Sequence, residues 1–160
     1  MRFTGLPATT RCTVAPATTP VPRSMSVVDR LSLAQRRPGL YGNDGDDVLA
    51  GGSGDDLLFG GNGNTGNDTA FGGNGNDTMV GDGGIDLQEG DAGDDWIYLA
   101  NGDGSTAYGG AGNDVWIATQ GRVIEIGDDG NDTEFGANGN DYFYEGNGND
   151  TMYGGGVSMY

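Results

Sequence analysis

Histidine and lysine are missing from this 160-residue sequence, and cysteine occurs once, as Cys12. Without histidine there is no Ser-His-Asp triad and no HExxH site, and a zinc centre has no ligand set. Without lysine no GxxxxGK[ST] phosphate loop exists, whatever the number of glycines. A lone cysteine closes no intrachain disulfide. The GxSxG elbow and the twelve-residue EF-hand loop are also absent, so an enzyme is not expected from this chain. Hydrophobic residues supply only 34 % of the sequence, and no apolar run approaches the ~18 residues that span a bilayer. Positive charge is nearly absent beyond residue 41. Arg2, Arg11, Arg23, Arg30, Arg36 and Arg37 precede it, and only Arg122 follows.

What is there instead is glycine, at 34 residues, and acid, with a formal net charge of −17. A chain with so little to bury and so much self-repulsion should struggle to fold. Each glycine adds roughly 0.5–1 kcal/mol of ordering cost relative to alanine. Either the chain is disordered or something beyond the hydrophobic effect holds it. The polyanion itself repels nucleic acid and anionic membrane, so its natural partners are cations.

Residues 1–41 are rich in Thr, Ser, Pro and Arg, and their prolines forbid a long helix. A short amphipathic helix over Val27–Arg37 is conceivable. The segment otherwise reads as a disordered basic leader with no Sec-type hydrophobic core, although its composition is also that of an organelle transit peptide. From Gly42 to Tyr153 the sequence repeats every nine residues, as in GGSGDDLLF (51–59), GGNGNDTMV (72–80) and GGAGNDVWI (109–117). Twelve units run end to end, and 154–160 form a short tail. Two units are longer, 60–71 by three residues and 99–108 by one. Aspartate holds the sixth position in ten of the twelve: Asp47, Asp56, Asp68, Asp77, Asp86, Asp95, Asp114, Asp132, Asp141 and Asp150. Chance does not place ten aspartates in one phase of nine.

Each unit divides into a glycine-rich turn of six residues and a strand triplet whose middle residue points inward. Leu49, Leu58, Met79, Ile97, Trp116, Phe143 and Met152 are the expected core. Two units make one coil, so the fold expected is all-β, a right-handed parallel β-roll in which each turn lies ~4.8 Å from the turn two units on. Stacking brings aspartates of alternate units into register, where carboxylates near 5 Å repel by roughly 1 kcal/mol even at water's dielectric. A divalent ion between turns reverses the sign. Oxygen ligands without thiolate or imidazole favour Ca²⁺. One column should be unbroken, from Asp56 through Asp77, Asp95, Asp114 and Asp132 to Asp150. The other runs Asp47, Asp68, Asp86 and then fails, with Ser105 or Gly104 next, Val123 after it, and Asp141 isolated.

The units resemble the RTX (repeats-in-toxin) calcium-binding family, whose repeat is a glycine-rich nonapeptide. The resemblance implies that the sixth-position aspartates bind several Ca²⁺ ions through their side chains. It also implies carbonyl ligands from the turn, including the fourth-position Gly45, Gly54, Gly75, Gly93, Gly112, Gly130 and Gly148. It further implies a secreted, extracellular protein that folds on meeting calcium. Gln88, Glu125 and Glu134 depart from the family by taking the inward position where leucine is usual, and unit 118–126 lacks the aspartate. Uncapped roll ends would invite self-association. Aromatics at the ninth position (Phe59, Phe71, Tyr98, Tyr108, Phe135, Tyr144, Tyr153) should form outward ladders. They leave open a second reading, an adhesive or carbohydrate-binding surface protein. A third is a secreted hydrolase or toxin with its catalytic part elsewhere.

Overall fold

A nine-residue period leaves room for one short strand and one turn per unit, and the computed structural model, which describes residues 25–27, 39–61, 66–100 and 103–155, follows it. The first seven strands are β1 (Met25–Val27), β2 (Leu40–Asn43), β3 (Asp47–Ser53), β4 (Leu57–Gly61), β5 (Thr69–Asn74), β6 (Thr78–Val80) and β7 (Leu87–Ala92). The rest are β8 (Trp96–Leu99), β9 (Ser105–Ala111), β10 (Val115–Ala118), β11 (Val123–Asp129), β12 (Thr133–Phe135), β13 (Tyr142–Tyr144) and β14 (Thr151–Tyr153). Successive strands alternate between two seven-stranded sheets, ordered β1-β3-β5-β7-β9-β11-β13 and β14-β12-β10-β8-β6-β4-β2. All pairings are parallel, as in Met79↔Ile97 and Trp116↔Glu134. This is the all-β parallel β-roll expected. Strand β1 falls within the segment read as a basic leader and pairs with β3. The remainder of that segment through Pro38, with the helix considered for Val27–Arg37, lies outside the described residues.

The turns reverse the chain with left-handed backbone. Gly75 and Gly93, with φ of 127° and 142°, adopt values that a side chain would resist. Asn43, Asp82, Asp91 and Asp128 replace glycine at the second position with φ between 67° and 76°, a region Asn and Asp tolerate better than other side chains. Insertions are absorbed without loss of register: the stacking offset is 18 residues in most coils, 21 across the first insertion and 19 across the second.

Inside the roll, each coil contributes one central residue from each sheet. In the first sheet these are Leu49, Ala70, Gln88, Ala107, Glu125 and Phe143; in the second, Leu58, Met79, Ile97, Trp116, Glu134 and Met152. Leu49, Leu58, Met79, Ile97 and Trp116 are fully buried, joined by Leu99 and Val123. Phe143 and Met152 are only partly buried, because they sit on β13 and β14, the outermost strands of their sheets. Large and small alternate across the core, with Trp116 and Ala107 in one coil and Met79 and Ala70 in another. Outward residues form ladders whose rings stack along the roll, Tyr41 on Phe59 at 4.9 Å and Phe135 on Tyr153 at 4.8 Å.

Candidate metal centre

The sixth-position aspartates end each turn and turn their side chains inward, so most are buried despite their charge. They form the two columns expected from the sequence. In the longer one, the backbone N–H of Asp56 donates to Asp77 Oδ1 (2.6 Å) and that of Asp77 to Asp95 Oδ1 (2.6 Å). Asp95 continues to Asp114 (2.7 Å), Asp114 to Asp132 (2.9 Å) and Asp132 to Asp150 (2.9 Å). On the other side Asp47 donates to Asp68 Oδ1 and Asp68 to Asp86 Oδ1, both at 2.9 Å. The acid column then fails at Ser105, whose Oγ accepts from Asp86 N at 3.0 Å, which decides between Ser105 and Gly104. Asp141 is stitched to the backbone of Val123 (3.2 Å), but no acid precedes it in the column.

Oδ1 of Asp68, Asp77, Asp86, Asp95, Asp114, Asp132, Asp141 and Asp150 is thus used in stacking. Oδ2 of Asp47, Asp77, Asp86, Asp95, Asp114 and Asp132 is buried without a hydrogen-bond partner. Each of these oxygens lies against the first glycine of its own unit. A Cβ on Gly72 would press on Asp77 Oδ2 and stand 2.8 Å from the carbonyl oxygen of Gly90 in the next coil. The same holds at Gly90, where Asp95 Oδ2 and Gly109 O converge. At Gly42, Gly72, Gly90 and Gly127 the leading glycine therefore leaves a cradle bounded by a carboxylate oxygen and a carbonyl oxygen of the next coil. Among the described residues no three carboxylates meet at one point, so a cage in the turns draws on backbone carbonyls. A hard cation that accepts carbonyl ligands, such as Ca²⁺, fits that donor set.

Burial makes these carboxylates reluctant to ionise. Desolvation is the first cause, and repulsion from stacked aspartates adds to it, while the backbone N–H bonds partly offset both. Asp77 and Asp114 are pushed up to about 7, and Asp47, Asp86 and Asp95 to about 6. Asp68, Asp132 and Asp141 are raised as well. An anionic column with its outer oxygens unpartnered is a site under electrostatic load, and a cation relieves it.

The fourth-position glycines occupy a separate column, each carbonyl abutting the next turn's glycine. A Cβ on Gly75 would stand 2.5 Å from Gly54 O, and the contact recurs from Gly75 through Gly93, Gly112 and Gly130 to Gly148. On the other side Gly45 O meets Gly66. The carbonyls that converge with Oδ2 of Asp47, Asp77, Asp95 and Asp132 on the leading glycines belong instead to the first-position residues Gly60, Gly90, Gly109 and Glu145. Sequence reasoning missed these, although the GG that opens many units was the signal. It also missed a second side-chain ladder at the fifth position, outside the first. There Asn76 N donates to Asp55 Oδ1 (2.9 Å), Asn113 N to Asp94 Oδ1 (2.7 Å), Asn131 N to Asn113 Oδ1 (3.0 Å) and Asn149 N to Asn131 Oδ1 (3.0 Å). This outer ladder donates toward the preceding turn while the inner one donates toward the following turn. Neighbouring residues thus fasten each coil in both directions.

The family model of the RTX calcium-binding nonapeptide repeat, four copies long, matches residues 40–65, 62–87, 89–105, 105–121 and 126–157. No curated protein and no solved structure matches the chain. The matched segments cover well over half of the sequence and contain both aspartate columns. The chain belongs to the RTX calcium-binding nonapeptide repeat family.

Proposed function

We propose that this roll is a module whose folding is driven by Ca²⁺ entering between its turns, within a secreted protein that meets calcium outside the cell. The observation that carries the reading is the row of buried, unpartnered Oδ2 atoms, of which those of Asp47, Asp77, Asp95 and Asp132 converge with a carbonyl of the next coil. Asp56, Asp77, Asp95, Asp114, Asp132 and Asp150 line the fully loaded side, whose six stacked turns leave five gaps. Asp47, Asp68 and Asp86 load the start of the other side, and Asp141 lacks an acidic neighbour before it. First-position carbonyls such as those of Gly90 and Gly109 complete the cages, with Gly45, Gly54, Gly75, Gly93, Gly112, Gly130 and Gly148 supplying turn carbonyls as in the family pattern. Among the described residues no helix is long and apolar enough to cross a membrane.

Among the described residues β13 and β14 are the outermost strands of their sheets, and an edge of that kind favours association with a second copy. In two rungs of the ladders rings stacked at 4.8–4.9 Å within 8° of parallel spend faces on each other, while Tyr108 and Tyr144 are exposed and keep the carbohydrate-binding alternative open. Far-UV circular dichroism of metal-free protein tests the main reading. Calcium should convert coil to β signal cooperatively, and magnesium should fail to do so. Equal order before and after exhaustive chelation would sink it.

A further inference from the structure

Unit 118–126 exchanges the two residue types on which the repeat depends. Its sixth position, aspartate in ten of the twelve units, is Val123, and its inward eighth position, apolar in most units, is Glu125. The family match breaks at this point, ending at residue 121 and resuming at 126. The next unit places a second glutamate, Glu134, at its own inward position. The two strands, β11 and β12, follow one another in the chain and lie in opposite sheets, so both side chains enter the same stretch of core. Val123, Glu125 and Glu134 are all 0 % exposed.

None of the four Oε atoms of Glu125 and Glu134 has a hydrogen-bond partner. Each carboxylate raises the other's cost of ionisation or shares its surroundings with turn aspartates. Burial first and Glu134 second push Glu125 up to about 9, while burial first and Asp132 second push Glu134 up to about 7. No base is at hand, since Arg122, the sole base of the repeats, is exposed. An ionised buried carboxylate without a partner costs several kcal/mol, so the pair must take up protons or have its charge matched by a cation. Ala107, the register partner of Glu125, is a small residue. Trp116, the register partner of Glu134, contributes a buried Nε1–H that also lacks a partner. That donor suits an oxygen-rich centre and would be wasted in an apolar one.

We propose that Glu125 and Glu134 hold a Ca²⁺ ion inside the roll, replacing the turn site that Val123 abolishes. Two carboxylates offer four oxygens, water fills the remaining positions, and Trp116 Nε1–H donates to the oxygen set. The carboxylate has moved from the turn to the core, and the ion has moved with it. The inference rests on the calcium reading of the chain but concerns a different pair of ligands from the turn columns.

The test is the number of Ca²⁺ ions bound per full-length chain by equilibrium dialysis, for wild type, Glu125→Gln/Glu134→Gln and Glu125→Leu/Glu134→Leu. The leucine variant restores the usual apolar core and guards against a variant that does not fold. Whichever variant folds by circular dichroism should bind one ion fewer, with the affinity of the others unchanged. Equal counts in wild type and variant would overturn the proposal, and would mean that the pair holds a proton. Loss of several ions at once would overturn it too, by showing that the glutamates act only through packing. A wild type that binds no calcium at all would instead refute the calcium reading of the turns.

Discussion

Lowering the pH should fold the calcium-free chain, the reverse of ordinary acid denaturation. The inner aspartates have raised pKa values, so their charged forms are disfavoured in the wound state. The sign follows: the penalty is fully present above about pH 7, shrinks as pH falls through the folded values, and is gone below the ordinary carboxylate value of 3.8. For Asp95, with a folded value of about 6, linkage gives about 1 kcal/mol of relief between pH 8 and pH 5. For Asp77 and Asp114, at about 7, it gives about 3 kcal/mol each. Aspartates within one column titrate together, so the whole gains several kcal/mol rather than the arithmetic total. That is comparable to the entire stability of a small domain. The assay is far-UV circular dichroism with urea titration in chelator, at pH 8 and pH 5, kept above the sequence pI of about 4.1 to avoid precipitation. Asp114→Asn should weaken the pH dependence by removing one titrating group while keeping the Oδ1 acceptor for Asp95 N. A metal-free chain equally unordered at both pH values, or less ordered at pH 5, would refute the reasoning.

Three further outcomes follow from the same geometry. Gly90→Ala places a Cβ against Asp95 Oδ2 and Gly109 O; calorimetry should show calcium stoichiometry reduced on the long column and thermal stability lowered by about 2 kcal/mol. Ser105→Asp extends the broken column beyond Asp86, whose backbone N–H already donates to position 105 at 3.0 Å; dialysis should count one more ion, and an unchanged count would contradict the column model. Asn131→Ala removes side-chain bonds to Asn113 and Asn149; chemical denaturation should show a loss of about 1–2 kcal/mol with calcium affinity unaffected.

The columns were legible in advance because a strict period converts sequence spacing directly into spatial neighbours. Once two units make a coil, Asp77 must stack on Asp95. The break after Asp86 follows from the same count, and only the choice between Gly104 and Ser105 stayed open, because an inserted residue can be absorbed on either side. The ligand carbonyls were less legible. Backbone oxygens carry no sequence label, so the nearness of Gly90 O to Asp77 Oδ2 shows only when the coils are built. The fifth-position ladder was hidden for another reason: Asp55, Asn76 and Asp94 differ in charge, and their shared role is hydrogen-bond geometry at Oδ1.

The sequence by itself determined the period, the polyanionic character and the two columns, since each depends only on which residue types recur at which spacing. Tertiary structure decided which oxygen of each aspartate is left over, that Glu125 and Glu134 share one stretch of core, and that the aromatic rings lie against one another. Those outcomes depend on how side chains divide a narrow interior between two sheets, and a one-dimensional period does not specify that division.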